Sequence, residues 1–319
     1  MRVASVNKAS RSCRSACRKR QARPNTRHVQ QHGKPSSATI LTGLCYLNYQ
    51  RGTRPLLGAN VADGGLSLDI SGSVALVSGG SGGLGSEICR LLARKGSQVV
   101  VGYRNGSDRA EAVCAGIKDE GGAACVQQVD HTDPASVRDC VDKIVGKFGS
   151  LGILVNNAGM ASGEYTVPNG DLDALTPEIW TDMLEVNFSG PYFLTRAAAP
   201  YLKASKWGRV VNLSSTIAHG DWSAAAAYAP SKAAVVPLTR FLSTALAPDV
   251  TVNCVSPGLM EGTQMSGGAS DGFVAMWRDR SLLGRTTSIE DVAQQVLLFC
   301  KSPSITGQTV VIDGGIHLH

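Results

Sequence analysis

The sequence predicts one α/β domain built on a doubly wound parallel sheet of about seven strands. Three observations carry this. From Asp69 onward short β-branched runs alternate with helical stretches, the first runs are apolar on both faces, and a glycine-rich turn joins the first run to the first helix. A strand without a polar face needs cover on both sides, and crossover helices supply it. In such sheets ligands bind beyond the carboxyl ends of the strands, so residues that follow strands are the functional candidates.

The elements come in order. Val74 to Ser78 reads as the first strand and leads into an apolar-periodic helix near Gly83 to Arg94. Val99 to Tyr103 with a helix near Asp108 to Glu120, and Ala124 to Asp130 with one near Pro134 to Phe148, repeat the unit. Ile153 to Asn156 precedes a long helix from Glu178 to Ala204, and Arg209 to Leu213 precedes Tyr228 to Ala247. Thr251 to Val255, a helix near Glu290 to Cys300 and Thr309 to Ile312 close the pattern. Nothing repeats internally, and no second alternation asks for a further domain.

The 319 residues, 43% hydrophobic and 18% charged, suit a globular chain with a sizeable core. No stretch approaches 18 consecutive apolar residues, which excludes a membrane-spanning helix. The net charge of +6 suggests nucleic acid until it is placed along the chain. Residues 1–62 hold 12 Lys and Arg and no acid, leaving 19 basic against 25 acidic residues in the rest. An acidic body gives no reason to expect binding along a phosphate backbone, so no DNA or RNA partner is expected.

Three segments follow: a basic, acid-free leader over 1–62, a linker over 63–68, and the catalytic domain over 69–319. The leader is rich in Arg, Ser and Thr, which is transit-peptide composition and points to a plastid or mitochondrion. A nuclear or nucleic-acid patch at Arg11 to Arg23, and an unused upstream start that leaves the protein cytoplasmic, stay open as alternatives. The cysteines of the body are scattered without a C-x-x-C pair, so they read as reduced thiols, and no metal site is expected. His317 and His319 read as an exposed tail.

After the first strand comes Ser78-Gly79-Gly80-Ser81-Gly82-Gly83-Leu84-Gly85. Glycines let a backbone approach a pyrophosphate, and the free amides of a helix start give it donors and a favourable dipole. The spacing Gly79-x3-Gly83-x-Gly85, with Asn156-Asn157-Ala158-Gly159 after the fourth strand, closely resembles the short-chain dehydrogenase/reductase family. Ser215, Tyr228, Lys232, then Pro257-Gly258 with Thr263, and finally Asp313-Gly314-Gly315 continue the match, so the resemblance covers about Asp69 to Gly315.

The resemblance implies a Rossmann fold, a nicotinamide dinucleotide and a homodimer or homotetramer. It implies that the cofactor is held by Ser78, Gly79, Ser81, Gly83, Leu84, Gly85, Tyr103, Arg104, Asp130, His131, Asn157, Ala158, Gly159, Tyr228, Lys232, Pro257, Gly258, Leu259 and Thr263, and that catalysis rests on Asn187, Ser215, Tyr228 and Lys232. Asn187 matches the family position that holds a water in the proton path, and Pro191 is expected to disturb the helix beside it. Asp130 matches the residue that faces the adenine, with a plain turn-former as the alternative. His131 stands where relatives carry an aliphatic residue.

The chemistry also follows from the residues themselves. Tyr228 and Lys232 lie four apart on one helix, hence on one face, so an ammonium is expected near the phenol to favour its ionised form. Ser215 is expected to donate a hydrogen bond to a substrate oxygen as charge develops there. Taken alone, Tyr228 and Lys232 would read as a surface pair on an alanine-rich helix; their company argues otherwise. Met260 to Leu283, with scattered glycines among Met265, Phe273, Met276 and Trp277, reads as a lid with an apolar inner face, which is compatible with a packed loop, and His219, Asp221 and Trp222 as candidate mouth residues, with a plain polar loop as the alternative. Pro237 is expected to kink the catalytic helix.

These readings converge on a reductase or dehydrogenase of a small-molecule carbonyl or secondary alcohol. The leading substrate is a 3-oxoacyl thioester, free or tethered to an acidic carrier met by Lys203, Lys206 and Arg209; polyol, quinone and steroid carbonyls remain open. A dinucleotide-sensing protein without turnover is the rival from another class. At the end of the second strand, Tyr103 stands where an NAD-selective enzyme places an acid, and Arg104 follows with a fork that suits a phosphate. NADP(H) is therefore expected, with NAD(H) use left open, although Gly82 occupies the place of a second basic residue in many NADP-selective relatives.

Overall fold

A computed structural model describes residues 68–161, 167, 170–220 and 226–318. The leader, all but the last residue of the linker, Asp221, Trp222 and His319 lie outside the described residues. Seven parallel strands, β1 (Val74–Ser78), β2 (Gln98–Tyr103), β3 (Ala123–Gln128), β4 (Ile153–Asn156), β5 (Arg209–Leu213), β6 (Thr251–Pro257) and β7 (Thr309–Ile312), are ordered β3-β2-β1-β4-β5-β6-β7. The strand order reverses direction between β1 and β4, which opens a crevice at their carboxyl ends. There Ser78 is in register with Asn156, and Asn156 with Asn212.

The two-sided character of β1 is borne out residue by residue. Ala75 and Val77 pack on the face covered by α1 (Gly83–Arg94), α2 (Ser107–Asp119) and α8 (Ile289–Lys301). Val74 and Leu76 pack on the face covered by α3 (Pro134–Phe148), α5 (Gly190–Ala204) and α6 (Tyr228–Leu246). Burying a side chain the size of Leu76 contributes roughly 1.5–3 kcal/mol, and truncating it to Ala costs about 2–5 kcal/mol. The helix ends follow local chemistry. Asp133 caps α3 by accepting from the amides of Ala135 and Ser136, Pro134 fills the first turn, and left-handed Gly149 ends the helix.

Three readings of the sequence are corrected. The single helix expected from Glu178 to Ala204 is three pieces: α4 (Pro177–Leu184), a π-helical turn (Glu185–Ser189) and α5. Pro191 has no N–H to return to the residue 187 carbonyl, and the wider turn carries the helix past that gap. The stretch Met260 to Leu283 is packed in part, as the packed-loop reading allows, but it is not a plain loop. It contains a 3-10 turn (Gln264–Ser266) and α7 (Asp271–Arg280), started by Ser270 accepting from the Phe273 amide and anchored by buried Trp277. Finally, β3 stops at Gln128 because Asp130 turns its carboxylate onto Thr132. α6 runs through Pro237 from Tyr228 to Leu246.

Candidate active site

The glycine turn is shaped by backbone contact. Gly79 has φ +62°, and a Cβ there would stand 2.9 Å from the Ala158 Cα. A Cβ on Gly85 would overlap the Gly79 carbonyl oxygen, and one on Gly83 would meet the Thr263 Cα at 3.3 Å. Gly82 leads into α1 without any side-chain cap, so the amides of Gly83, Leu84 and Gly85 open the helix unscreened by a side chain. A cradle with no Cβ and an uncapped helix start is what a dinucleotide pyrophosphate fits. Half-buried Ser81 lies on the same turn.

β4 is tied to that turn through side chains. The Ser78 hydroxyl accepts from the amides of Asn157 and Ala158, both at 3.1 Å. Asn157 Nδ2 donates to the carbonyls of Ser78 and Gly79, both at 3.0 Å. Pro257, Gly258 and Leu259 bring the end of β6 to the same side, with the Gly258 amide donating to the Ile312 carbonyl at 2.8 Å. Thr263 closes this wall against Gly83 and caps its own turn by exchanging hydrogen bonds with Ser266.

At the end of β2, Tyr103 is half-buried against the core, and Arg104 is exposed. A second cation, not singled out from the sequence, stands beside them. The Arg109 guanidinium covers left-handed Gly106, and its Nη1 donates to Gln264 Oε1 at 3.2 Å. Its position in the first turn of the helix after Arg104 was the available signal. Asp130 accepts from the Thr132 amide at 3.0 Å and hydroxyl at 2.7 Å, which is the turn-former's arrangement. Burial would raise its pKa, but those bonds and Arg104 outweigh burial and hold it below the ordinary value. His131 is buried against Gly190, and burial pushes it down to about 4, so it is neutral.

Ser215 after β5 and Tyr228 at the start of α6 are brought together, the serine close enough to the phenol to act on its ionisation. Burial raises the Tyr228 pKa, and Ser215 offsets that in part. Lys232 shares the helix face, but its Nζ donates to the Leu213 carbonyl at 3.1 Å, and burial lowers it to about 8. It lies beside Gly159, where a Cβ would be 3.0 Å from Nζ. The nearest unexpected neighbour of the phenol is Met265, whose Sδ accepts from Tyr228 Oη at 3.8 Å.

Asn187 sits in the π-helical turn, buried. Its Oδ1 accepts from the Met160 amide at 2.9 Å, while Nδ2 donates to the Met160 carbonyl and the Ser231 hydroxyl, both at 3.0 Å. It braces the chain after Gly159 against α6. The cations proposed for an acidic carrier lie elsewhere. Lys203 lies in the last turn of α5, Lys206 stacks on Trp207, and Arg209 opens β5, so all three lie at or before the start of the strand whose far end leads to Ser215. Arg209 is also buried, its Nη1 donating to the Gly208 carbonyl at 2.8 Å. Among the described residues no cluster of three or more His, Cys, Asp or Glu could hold a metal, and no helix is long and apolar enough to cross a membrane.

Comparison with known proteins gives the same fold. A family model described as enoyl-(acyl carrier protein) reductase matches residues 79–317. A Streptomyces violaceoruber protein named as ketoacyl reductase 2 of the granaticin polyketide synthase is 37% identical over 248 residues, covering 77% of this chain and 96% of its own. The 3-oxoacyl-(acyl-carrier-protein) reductase FabG of Staphylococcus aureus is 32% identical over 247 residues, covering 76% of this chain and 98% of its own. A Burkholderia cenocepacia short-chain dehydrogenase, solved with NADP, superimposes with a TM-score of 0.70 at 36% identity, over 78% of this chain and 99% of its own.

Proposed function

The chain belongs to the short-chain dehydrogenase/reductase family, oxidoreductases acting on CH–OH or C=O with a nicotinamide cofactor, and from that premise we propose that it reduces a 3-oxoacyl thioester with NADPH, Tyr228 donating the proton. The observation that carries this is the meeting of Ser215, after β5, with Tyr228, at the start of α6, at the carboxyl end of the sheet, with Lys232 buried one turn along the same helix. The nicotinamide, when bound, supplies the hydride. The glycine turn, Asn157 to Gly159 and Thr263 are its holders in this reading.

The chain's own residues manage the proton. With its pKa raised, the Tyr228 phenol keeps its proton at neutral pH, which is the form that reduction requires of an acid. Ser215 donates to the substrate oxygen as negative charge gathers on it. Lys232, charged below a pH of about 8, stands within one helical turn to offset the phenolate left behind. Asn187 fixes the Met160 backbone and, through Ser231, the spacing of that segment from α6.

Exposed Met265 beside the phenol, with exposed Phe273 and Met276 on α7 shortly after it in the chain, suits an acyl chain better than a polyol. Arg104, with Tyr103 in place of an acid, suits the 2′-phosphate of NADP. The leader is assigned to delivery into an organelle. The test of the reading is loss of reduced-nicotinamide absorbance with a panel of carbonyls that includes 3-oxoacyl thioesters. Turnover of the thioester with NADPH is expected; a panel in which only polyol or steroid carbonyls react moves the assignment to them.

A further inference from the structure

We propose that His317 and Asp313 are positioning residues: the segment after β7 hooks behind the turn that carries Ser215 and fixes where that serine points. The inference rests on the reading of Ser215 given above.

As a residue near the end of the chain, His317 reads from the sequence as exposed tail; the structure packs it inward. Asp313, 4% exposed, follows β7 directly. Gly314 and Gly315, at φ +71° and +83°, fold the chain back over it. The amides of Gly315 and Ile316 donate to Asp313 Oδ1 at 3.0 and 3.1 Å, and the His317 amide donates to Oδ2 at 3.1 Å. Folding back brings the imidazole to the carboxylate, with Nδ1 3.0 Å from Oδ2.

The same two groups reach the active-site turn. Thr216 follows Ser215 in sequence and is fully buried. Its hydroxyl lies 2.5 Å from Asp313 Oδ2 and 2.7 Å from His317 Nδ1. Burial alone would raise the Asp313 carboxyl, but the bonds from Thr216, His317 and the turn amides outweigh it and keep it ionised. An ionised carboxylate only accepts, so Thr216 donates to it and His317 Nδ1 must carry a hydrogen. The other edge of the ring meets the far end of the turn, where a Cβ on Gly220 would overlap His317 Nε2.

One imidazole therefore touches both ends of the segment from Thr216 to Gly220. His219 adds a separate tie, its Nε2 3.0 Å from the Ser256 hydroxyl at the end of β6. Ser215 is the first residue of this 3-10 turn: its hydroxyl accepts from the Ile217 amide at 3.4 Å, and its carbonyl from the Ala218 amide at 3.0 Å. The serine's direction follows from the turn, and the turn is set from behind by residues about a hundred positions away. Three backbone amides already close the loop on Asp313. The Thr216 hydroxyl and the imidazole edge on Gly220 serve the active-site turn, and loosening a positioned group by about 1 Å costs rate rather than cofactor affinity.

The experiment compares His317→Ala, His317→Asn, Thr216→Val and Thr216→Ser in the full chain. It reads kcat, KM, NADPH binding by fluorescence, and hydrogen exchange over residues 215–220. His317→Ala and Thr216→Val are expected to lower kcat about tenfold, to hold the NADPH Kd within about twofold, and to speed exchange at 216–219 but not at 79–85. Asn keeps a donor near the Nδ1 position and Ser keeps the hydroxyl, so both should stay within about threefold of the unaltered protein. Unchanged exchange at 216–219, or a kcat for His317→Ala equal to that of the unaltered protein, overturns the proposal. So does failure of the Asn and Ser variants to rescue. If His317→Ala does not fold, the Thr216 pair decides. Ser215→Ala is run beside them: if it keeps full turnover, the reading of Ser215 has failed, while exchange at 216–219 still decides the hook.

Discussion

Around the turn after β1, the site is made of main chain. Gly79, Gly83 and Gly85 lie against the backbone of Ala158, Thr263 and Gly79, and Ser78 and Asn157 direct their side chains at backbone groups. Around β5, α6 and α7 it is made of side chains held from a distance: Ser215 on Tyr228, Met265 on Tyr228, and Thr216 on Asp313 and His317. The difference separates two tasks. A backbone cradle admits one invariant shape, the pyrophosphate of a dinucleotide, and leaves no side chain to vary. A mouth of side chains can change its substrate while the cradle stays as it is.

The sharpest way to break that contrast is Gly85→Val. Its Cβ falls on the Gly79 carbonyl, so NADPH binding measured by fluorescence should be lost, and stability should drop by roughly 1–3 kcal/mol in thermal unfolding. A variant that binds normally would mean the cradle is not set by backbone contact. Lys232→Met comes next. Lys232 titrates at about 8 in the free protein because burial disfavours its charge, so the ammonium is present below that pH and lost above it. NADPH affinity should weaken as pH rises through 8 in the unaltered protein. In Lys232→Met it should be weak throughout, with no such limb.

Arg104→Ala probes the cofactor half where a side chain does matter. The ratio of kcat/KM for NADPH over NADH should fall about tenfold, the worth of one charge-assisted bond to phosphate. An unchanged ratio would shift the role to Arg109, which stands on the same side. The smallest effect is expected from Met265→Ala, which should raise KM for a long-chain 3-oxoacyl thioester a few-fold while leaving NADPH binding alone. Equal changes for short and long substrates would deny the mouth its part in selection.

How legible each region was follows from the same contrast. The strand ends, the glycine turn and the Ser215, Tyr228 and Lys232 spacing could be read because they depend on nearest neighbours: apolar runs, a helix start, a shared helix face. Pro191 signalled a disturbance beside Asn187, but not its π-helical form, because residues 185–189 have the composition of any helix and the shift becomes visible only when Asn187 reaches Met160. α7 was hidden among glycines, its burial resting on Trp277 alone. Lys232 was given the right face, but its bond to the Leu213 carbonyl was out of sight because that carbonyl comes from another element. His317 and Thr216 are 101 residues apart and no local pattern joins them. The leader lies outside the described residues, and fusing residues 1–62 to a fluorescent reporter addresses it separately.

The central claim is that Tyr228 gives the proton at a site whose cofactor half does not depend on it. Tyr228→Phe tests it most directly, with single-turnover reduction and NADPH binding measured on the same sample under conditions where chemistry limits the rate. The account predicts a loss of at least about a hundredfold in the chemical step, with NADPH affinity changed less than about threefold. A Phe variant that keeps most of its single-turnover rate, or that loses cofactor affinity in proportion to rate, would contradict it.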